Sequence, residues 1–469
     1  MENIAKMNKP YKYLGPSHFY KKLILIALPV MGQQLIQNFV SLIDNFMVAG
    51  LGDIKMSGVN IASQFVQIFM VLINSFCISG GIFMSQYLGS KNKEGMRQVF
   101  RYKVIVTLIT GIIISIVYSL NLRSILSLMV HGNTQSEAII VEGIAYMKLI
   151  AWTFIPIALS NAMASSLREI GKVKEPLLIS VAATLVNTFF NYIFIYGNFG
   201  APRLEVRGAA IATIIARVFE MLFYAIFIMK TKPDFYTRLR DILKVKLTLV
   251  GTILKKSAMI IVPEMTWIIS ETITTALYNS RGGAEIVSGM AAGFAISNLF
   301  FIAFGGLHTS IGVVLGSTLG ANKLDEARQQ KNWLLNGSII FGIVMGLLGA
   351  VTVFLIPLVY SNLSPRAHEV TRNLILVTSF YMPCWLYINA QFAISRTGGD
   401  TLLGFIVDMT TITTLVIPGM FALTYLTSMG PVTMYAIIKL TDFVKITIAH
   451  FWLKKERWVR NLTTSTQLE

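Results

Sequence analysis

Apolar runs of 20 or more residues recur along the whole of this 469-residue chain, and nothing else in the sequence constrains its fold as strongly. A helix rises about 1.5 Å per residue, so about twenty residues cover the roughly 30 Å hydrocarbon layer of a bilayer. Read against their polar punctuation, the runs define twelve spans near residues 22–48, 58–84, 100–121, 139–165, 175–197, 207–230, 257–280, 286–316, 333–359, 370–395, 401–426 and 431–453. With 54% hydrophobic and 13% charged residues, the chain lacks the charged surface that a water-soluble protein of this length needs. The expected class is an all-α, multi-pass membrane protein with twelve transmembrane helices. Its 35 glycines and 13 prolines do not oppose this, because neighbouring helices satisfy freed backbone groups in membrane bundles.

A formal net charge of +17 could point to nucleic acid, but the basic residues are placed by topology. They crowd the N-terminal segment, the loops after even-numbered spans and the C-terminal tail. The sixth-to-seventh loop carries Lys230, Lys232, Arg238, Arg240, Lys244, Lys246, Lys255 and Lys256. Lys and Arg resist translocation, so both termini are expected in the cytoplasm, with the protein in the cell (plasma) membrane and no nucleic-acid partner. Residues 1–22 are polar and basic and the first apolar run is too long for a signal core, so a cleavable signal is not expected. Cys77 and Cys384 fall inside spans and are expected to be inert thiols.

The chain also repeats itself. A shift of 231 residues aligns Gly52 with Gly283, Ser57 with Ser288, Gly58 with Gly289, Phe69 with Phe300, Ser79 with Ser310, Gly81 with Gly312, Leu88 with Leu319, Gly89 with Gly320 and Arg97 with Arg328. "SLREIGK" (166–172) likewise faces "ISRTGGD" (394–400). Each half holds six spans, an even number, so both enter the membrane with the same orientation and the repeat is parallel. The expected organisation is an N-terminal six-helix bundle (1–230), a cytoplasmic connector (231–256) and a C-terminal six-helix bundle (257–469). The bundles are expected to be related by a pseudo-twofold axis with a central cleft between them, as in secondary transporters. Within the connector, Phe235, Leu239, Ile242, Leu243 and Val245 among basic residues are spaced either for an amphipathic surface helix or for an irregular loop.

Polar side chains form stripes on several spans. Gln34, Gln37, Ser41 and Asp44 follow steps of 3, 4 and 3 on the first, and Glu264, Trp267, Glu271, Thr274 or Thr275, and Tyr278 mark the seventh. The second span offers Asn60, Gln64, Gln67 and Asn74, and the fifth Ser180, Thr184, Asn187 and Asn191. A charged side chain at a membrane helix centre costs about 2.5–3.5 kcal/mol on insertion scales, which makes Asp44 and Glu271 the functional candidates. Glu264, just after Pro263, reads as a helix-start acid. Asp408 and Asp442 read as ion-paired, Asp442 with Lys439 three residues earlier, as Glu220 with Arg217. Trp267, Tyr278, Phe294, Met265 and Met290 could supply adaptable, cation-attracting walls. "GGIFMSQYLGS" and "GGLHTSIGVVLGSTLG" read as close helix packing, since no GKS or GKT follows. His18, His131, His308, His368 and His450 lie far apart and suggest no metal cluster, and an enzyme is not expected.

The opening "LPV" with Asp44 and "AGLG", the paired loops "YLGSKNKEGMRQ" and "TLGANKLDEARQ", "SLREIGKVKEP" and "NYIFIYGNFGAPRLEVRGAAIAT" resemble the multidrug and toxic compound extrusion (MATE) family. The resemblance implies a twelve-helix V-shaped exporter, coupling inward movement of H+ or Na+ to efflux of hydrophobic, often cationic compounds. It implies the coupling carboxylate at Asp44 and, in the NorM-like branch, at Glu271, with Na+ held transiently at either. It assigns Asn161, Asn187, Asn191 and Thr213 to the polar network of the first bundle in the other bacterial branch. Two positions depart from the family pattern: Asn191 stands where that branch often has aspartate, and "YMPCWLYINAQFAIS" lacks the acid of NorM-like members. The coupling ion and the dominant bundle therefore stay open. No cofactor beyond that ion is expected. Partners are expected to be small hydrophobic or cationic substrates and membrane lipid, with the protein a monomer. The alternative is a lipid-linked oligosaccharide flippase of the same superfamily, which the acidic or neutral stripes disfavour.

Overall fold

The computed structural model describes residues 13–130 and 135–465, which are helical with no strand among them. His131 lies outside the described residues. Twelve long helices match the twelve expected spans: α1 Ser17–Ala49, α2 Asp53–Gly89, α3 Lys93–Val130, α4 Ser136–Glu169, α5 Lys174–Tyr196, α6 Glu205–Thr231, α7 Leu247–Asn279, α8 Ala284–Gly320, α9 Leu324–Val359, α10 Pro365–Thr397, α11 Leu402–Leu426, and α12 in two pieces, Pro431–Lys439 and Thr441–Lys454. Nine helices among the described residues are long and apolar enough to cross a membrane. The other three of the twelve, α7, α10 and α12, carry most of the charged groups of the C-terminal half discussed below. Most helices overrun the expected spans, because helical hydrogen bonding continues where the chain leaves hydrocarbon.

The duplication is visible in the helices themselves. Both α2 and α8 have 37 residues and both α1 and α7 have 33. α2 and α8 also end alike. Lys91 and Asn322 adopt left-handed backbone angles (φ 55° and 60°), and Asn92 N and Lys323 N close the turn onto Tyr87 O and Thr318 O at 3.0 and 3.2 Å. The same closure follows α4 and α10, with glycine at the left-handed position: Gly171 and Gly399 are both at φ 82°, and Lys172 N and Asp400 N reach Leu167 O and Ser395 O. Lys91 is the position in this set with the largest side chain in a left-handed conformation, which costs roughly 1–2 kcal/mol for an L-residue with a Cβ. Lys91→Gly is expected to recover about 1 kcal/mol of that, read as a raised unfolding midpoint.

Three helices change pitch just before a proline. The 3-10 turn Ala151–Thr153 contains Trp152, four residues before Pro156. The 3-10 turn Thr352–Leu355 contains Val353, four before Pro357, and the π turn Ile412–Val416 contains Thr414, four before Pro418. Proline has no N–H for the carbonyl four residues back and its ring crowds that carbonyl, so the helix re-registers there.

By packing, the chain forms two compact units, Gly32–Ser257 and Met1–Met31 with Ala258–Glu469. In the first, Phe69, Tyr118 and Phe154 form an aromatic centre, with ring centroids 4.6 Å apart for Phe69–Phe154 and 5.4 Å for Tyr118–Phe154. The glycines of "GGIFMSQYLGS" serve packing: a Cβ on Gly80 would lie 2.7 Å from the Lys103 side chain, and one on Gly81 would overlap the Glu169 carboxylate. In the second, Gly293 lets α8 approach Leu374 of α10, and the start of α1 docks through Tyr20, whose hydroxyl donates to Trp333 O at 3.1 Å.

The connector is irregular, with a single 3-10 turn at Leu239–Asp241, and α7 begins at Leu247. Its backbone is held from α3: Gln98 Nε2 and Arg101 donate to Lys244 O (3.2 and 2.8 Å), and Lys246 N donates to Gln98 Oε1 (2.9 Å). Phe235 is buried against Phe100, while Leu239 and Leu243 are exposed, so the five apolar residues share no face. A hydrogen bond from Lys244 holds the Asp241 carboxyl below the usual carboxylate range.

Candidate functional site

In the unit Gly32–Ser257, α1, α5 and α6 bring together the polar residues around Asp44. Asn191 Nδ2 donates to Asp44 Oδ1 at 2.6 Å. Asn187 lies one turn earlier on α5 and both asparagines are buried. An amide can be turned end for end, exchanging its oxygen and nitrogen. One orientation of Asn187 gives Asn191 Nδ2 to Asn187 Oδ1 at 3.2 Å and Asn187 Nδ2 to Thr213 Oγ1 at 3.5 Å. The other places Asn187 Nδ2 3.0 and 3.1 Å from the two Asp44 oxygens. A half-buried carboxylate is thus gripped by neutral amide donors, while Asn191 Oδ1 is buried with no donor among the described residues. One turn beyond Thr213, Arg217 pairs with Glu220 at 2.8 Å, as the spacing implied.

The other residues of this unit are more dispersed. Gln37 Nε2 donates weakly to Ser180 Oγ at 3.4 Å. Asn161 donates to Ile157 O at 3.1 Å on its own helix and approaches Met70 Sδ at 4.0 Å. The buried glutamine of α1 is Gln33, which accepts from Arg168 at 3.2 Å, whereas its neighbour Gln34 is half-buried. Stripe counting passed over Gln33 because it adjoins Gln34. Asn60, Gln64, Gln67 and Asn74 of α2 are all exposed.

In the unit Met1–Met31 with Ala258–Glu469, the Glu271 carboxylate faces a cation. Lys439 Nζ lies 3.6 Å from Glu271 Oε1, 5.1 Å from the Tyr435 ring centroid and 5.8 Å from that of Trp385. Trp385 Nε1 donates to Asp442 at 2.8 Å. Lys445 then bridges Asp442 (3.8 Å) and Asp408 (3.0 Å). Acids and bases thus alternate through α7, α12 and α11. The expected Lys439–Asp442 pair is corrected: Lys439 turns to Glu271, and Asp442 takes Trp385 and Lys445. Lys439, read from sequence only as a partner of Asp442, and Lys445, not singled out there, complete this candidate site. The available signal was two lysines six residues apart inside one apolar span.

Tyr278 belongs to this cluster, its ring 5.8 Å from that of Tyr435, which also meets Phe294 at 5.4 Å. Thr274 is buried and Thr275 exposed, which decides between them. Trp267 is 53% exposed and does not join the Lys439 cage. Glu264 is not a helix-start acid: α7 begins at Leu247, so Glu264 sits within the helix, where Arg396 acts on it electrostatically. His308 Nε2 is hydrogen-bonded to Asn389 at 3.1 Å. Cys77 and Cys384 are free thiols. Among the described residues no three His, Cys, Asp or Glu side chains gather as a metal site.

The MatE family profile matches residues 29–193 and 260–422, one segment in each half of the repeat, and the chain belongs to that family of membrane transporters. Relatives include the "Probable multidrug resistance protein NorM" of Thermotoga maritima, 22% identical over 86% of this chain and 85% of that protein. The protein of the same name in Halalkalibacterium halodurans is 23% identical over 93% of this chain and 94% of its own. Among solved structures, a Vibrio cholerae MATE transporter superposes with a TM-score of 0.83 at 16% identity, covering 94% of this chain and 99% of that one. The outward-facing conformation of a multidrug resistance MATE transporter gives 0.81 at 17% identity, covering 96% and 98%. These structures share the fold of twelve transmembrane helices.

Proposed function

We propose that this protein is a secondary active multidrug efflux transporter, exchanging H+ or Na+ for hydrophobic, often cationic compounds by alternating access. The observation that carries this reading is the Asp44 carboxylate, on the polar stripe of a membrane-spanning helix and held by Asn191 and Asn187. Neutral amides orient a carboxylate without cancelling its charge, and Arg217, the fixed cation that acts on Asp44, is already paired with Glu220, so a full counter-charge is left to a mobile cation. The buried, unfilled Asn191 Oδ1 is a further oxygen for that cation. A proton or sodium ion and a cationic cargo then compete for the same negative charge, and uptake of one drives release of the other. Relatives named as multidrug resistance proteins support the cargo class.

On this reading the duplicated halves 1–230 and 257–469, joined by 231–256, sit in the cell membrane as a monomer among lipid, with both termini cytoplasmic. No cofactor other than the coupling ion takes part. Glu271 pairs directly with Lys439, whereas Asp44 has no ion pair among the described residues and Arg217, which acts on it electrostatically, is paired with Glu220; this favours Asp44 as the main coupling site. Proteoliposomes loaded with a fluorescent cation, under separately imposed proton and sodium gradients, test the reading. One gradient is expected to drive efflux and the other not. Efflux equal with either gradient or with none would overturn it.

A further inference from the structure

We propose that Lys439 is a tethered competitor: its ammonium fills an organic-cation seat made by Glu271, Tyr435 and Trp385, and a cationic cargo must displace it to bind there. This deepens the efflux reading, on which the cargo class rests, and it assigns this lysine the part of setting what the seat accepts.

The argument begins with what surrounds the ammonium. A carboxylate at 3.6 Å and two ring centroids at 5.1 and 5.8 Å are the elements of a cage for an alkylammonium ion, whether or not that ion is joined to the chain. The cage walls do not depend on Lys439. Trp385 is oriented by its bond to Asp442 and packed by Tyr381 and Phe301, with ring centroids at 6.0 and 5.6 Å. Tyr435 is buried and packs edge-on against both Tyr278 and Phe294. Charge places the vacancy that loss of the lysine would create. Asp442 and Asp408 already share Lys445, so Glu271 is the acid that removal of Lys439 would leave without a partner. A half-buried carboxylate that has lost its ammonium partner is costly to leave unneutralised, so it takes a monovalent cation from solution.

Lys439 is the last residue of the first piece of α12, before the turn at Leu440, and its side chain stays 22% exposed.

The test is equilibrium binding of labelled tetramethylammonium and tetraphenylphosphonium to the full-length protein in nanodiscs at neutral pH, with no gradient imposed. Lys439→Met, which keeps the stem volume, is expected to bind tetramethylammonium at least about tenfold more tightly than the parent. Lys439→Arg keeps the seat filled and stays at the parental affinity. Adding Glu271→Gln to Lys439→Met removes the gain. Unchanged or weaker binding by a folded Lys439→Met overturns the proposal and leaves Lys439 a structural counter-ion. Unfolding of both Lys439→Met and Lys439→Gln also overturns it, because a braced cage should stand without the lysine. Since no gradient is used, failure of antiport in the parent would sink the efflux reading without touching this result.

Discussion

Asp44→Asn is expected to abolish gradient-driven transport while leaving the protein folded. The substitution is nearly isosteric, and the new amide oxygen can still accept from Asn191 Nδ2, which now donates at 2.6 Å. What disappears is the ability to change charge, and without it uptake of a proton or sodium ion no longer alters the affinity for a cation. Coupling of about 1–3 kcal/mol between two ligands corresponds to roughly 5–150-fold in affinity, and losing it leaves equilibration without accumulation. Efflux from proteoliposomes under the effective gradient, beside thermal unfolding in detergent, measures both parts. Full concentrative transport by a folded Asp44→Asn protein would remove Asp44 from the coupling role.

The largest effect on stability is expected at the Lys103–Glu169 pair. The Lys103 side chain is fully buried, Glu169 is 15% exposed, and the ammonium also donates to Ser165 Oγ at 3.1 Å. Gly80 and Gly81 make room for both partners, so the pair pins α3 and α4 against the glycine-rich end of α2. Removing one member of a buried pair typically costs about 3–5 kcal/mol, because the survivor is left charged and unsatisfied. Glu169→Gln is therefore expected to lower the unfolding midpoint sharply. The double variant Lys103→Met with Glu169→Met should recover much of the loss, since replacing a buried pair by apolar groups of similar volume is often close to neutral. A Glu169→Gln protein as stable as the parent would show that the pair holds nothing in place.

The fold was legible because its signals are local. Twelve apolar runs announce twelve helices, and the echo of Gly52–Arg97 in Gly283–Arg328 reappears as helices of equal length with matching left-handed ends. The connector was less legible. Its apolar spacing suits a helix, but Gln98 and Arg101, more than a hundred residues away, take up its backbone groups. The site around Asp44 was partly legible, since Asp44, Asn187, Asn191 and Thr213 are neighbours and Asn161 is held by its own helix. The site around Glu271 was less so, because Lys439 is as close in sequence to Asp442 as an intrahelical pair needs and yet turns elsewhere.

By itself the sequence determined the solvent of this protein and the number and duplication of its helices. Hydrophobic run length and helix-ending residues act within a few turns of chain and need no partner. The tertiary structure decided which charges meet. Asp44 found amides and Glu271 found an ammonium because electrostatic partners are chosen by distance through space. In an apolar interior each polar side chain must settle on whichever partner the packed helices bring within reach.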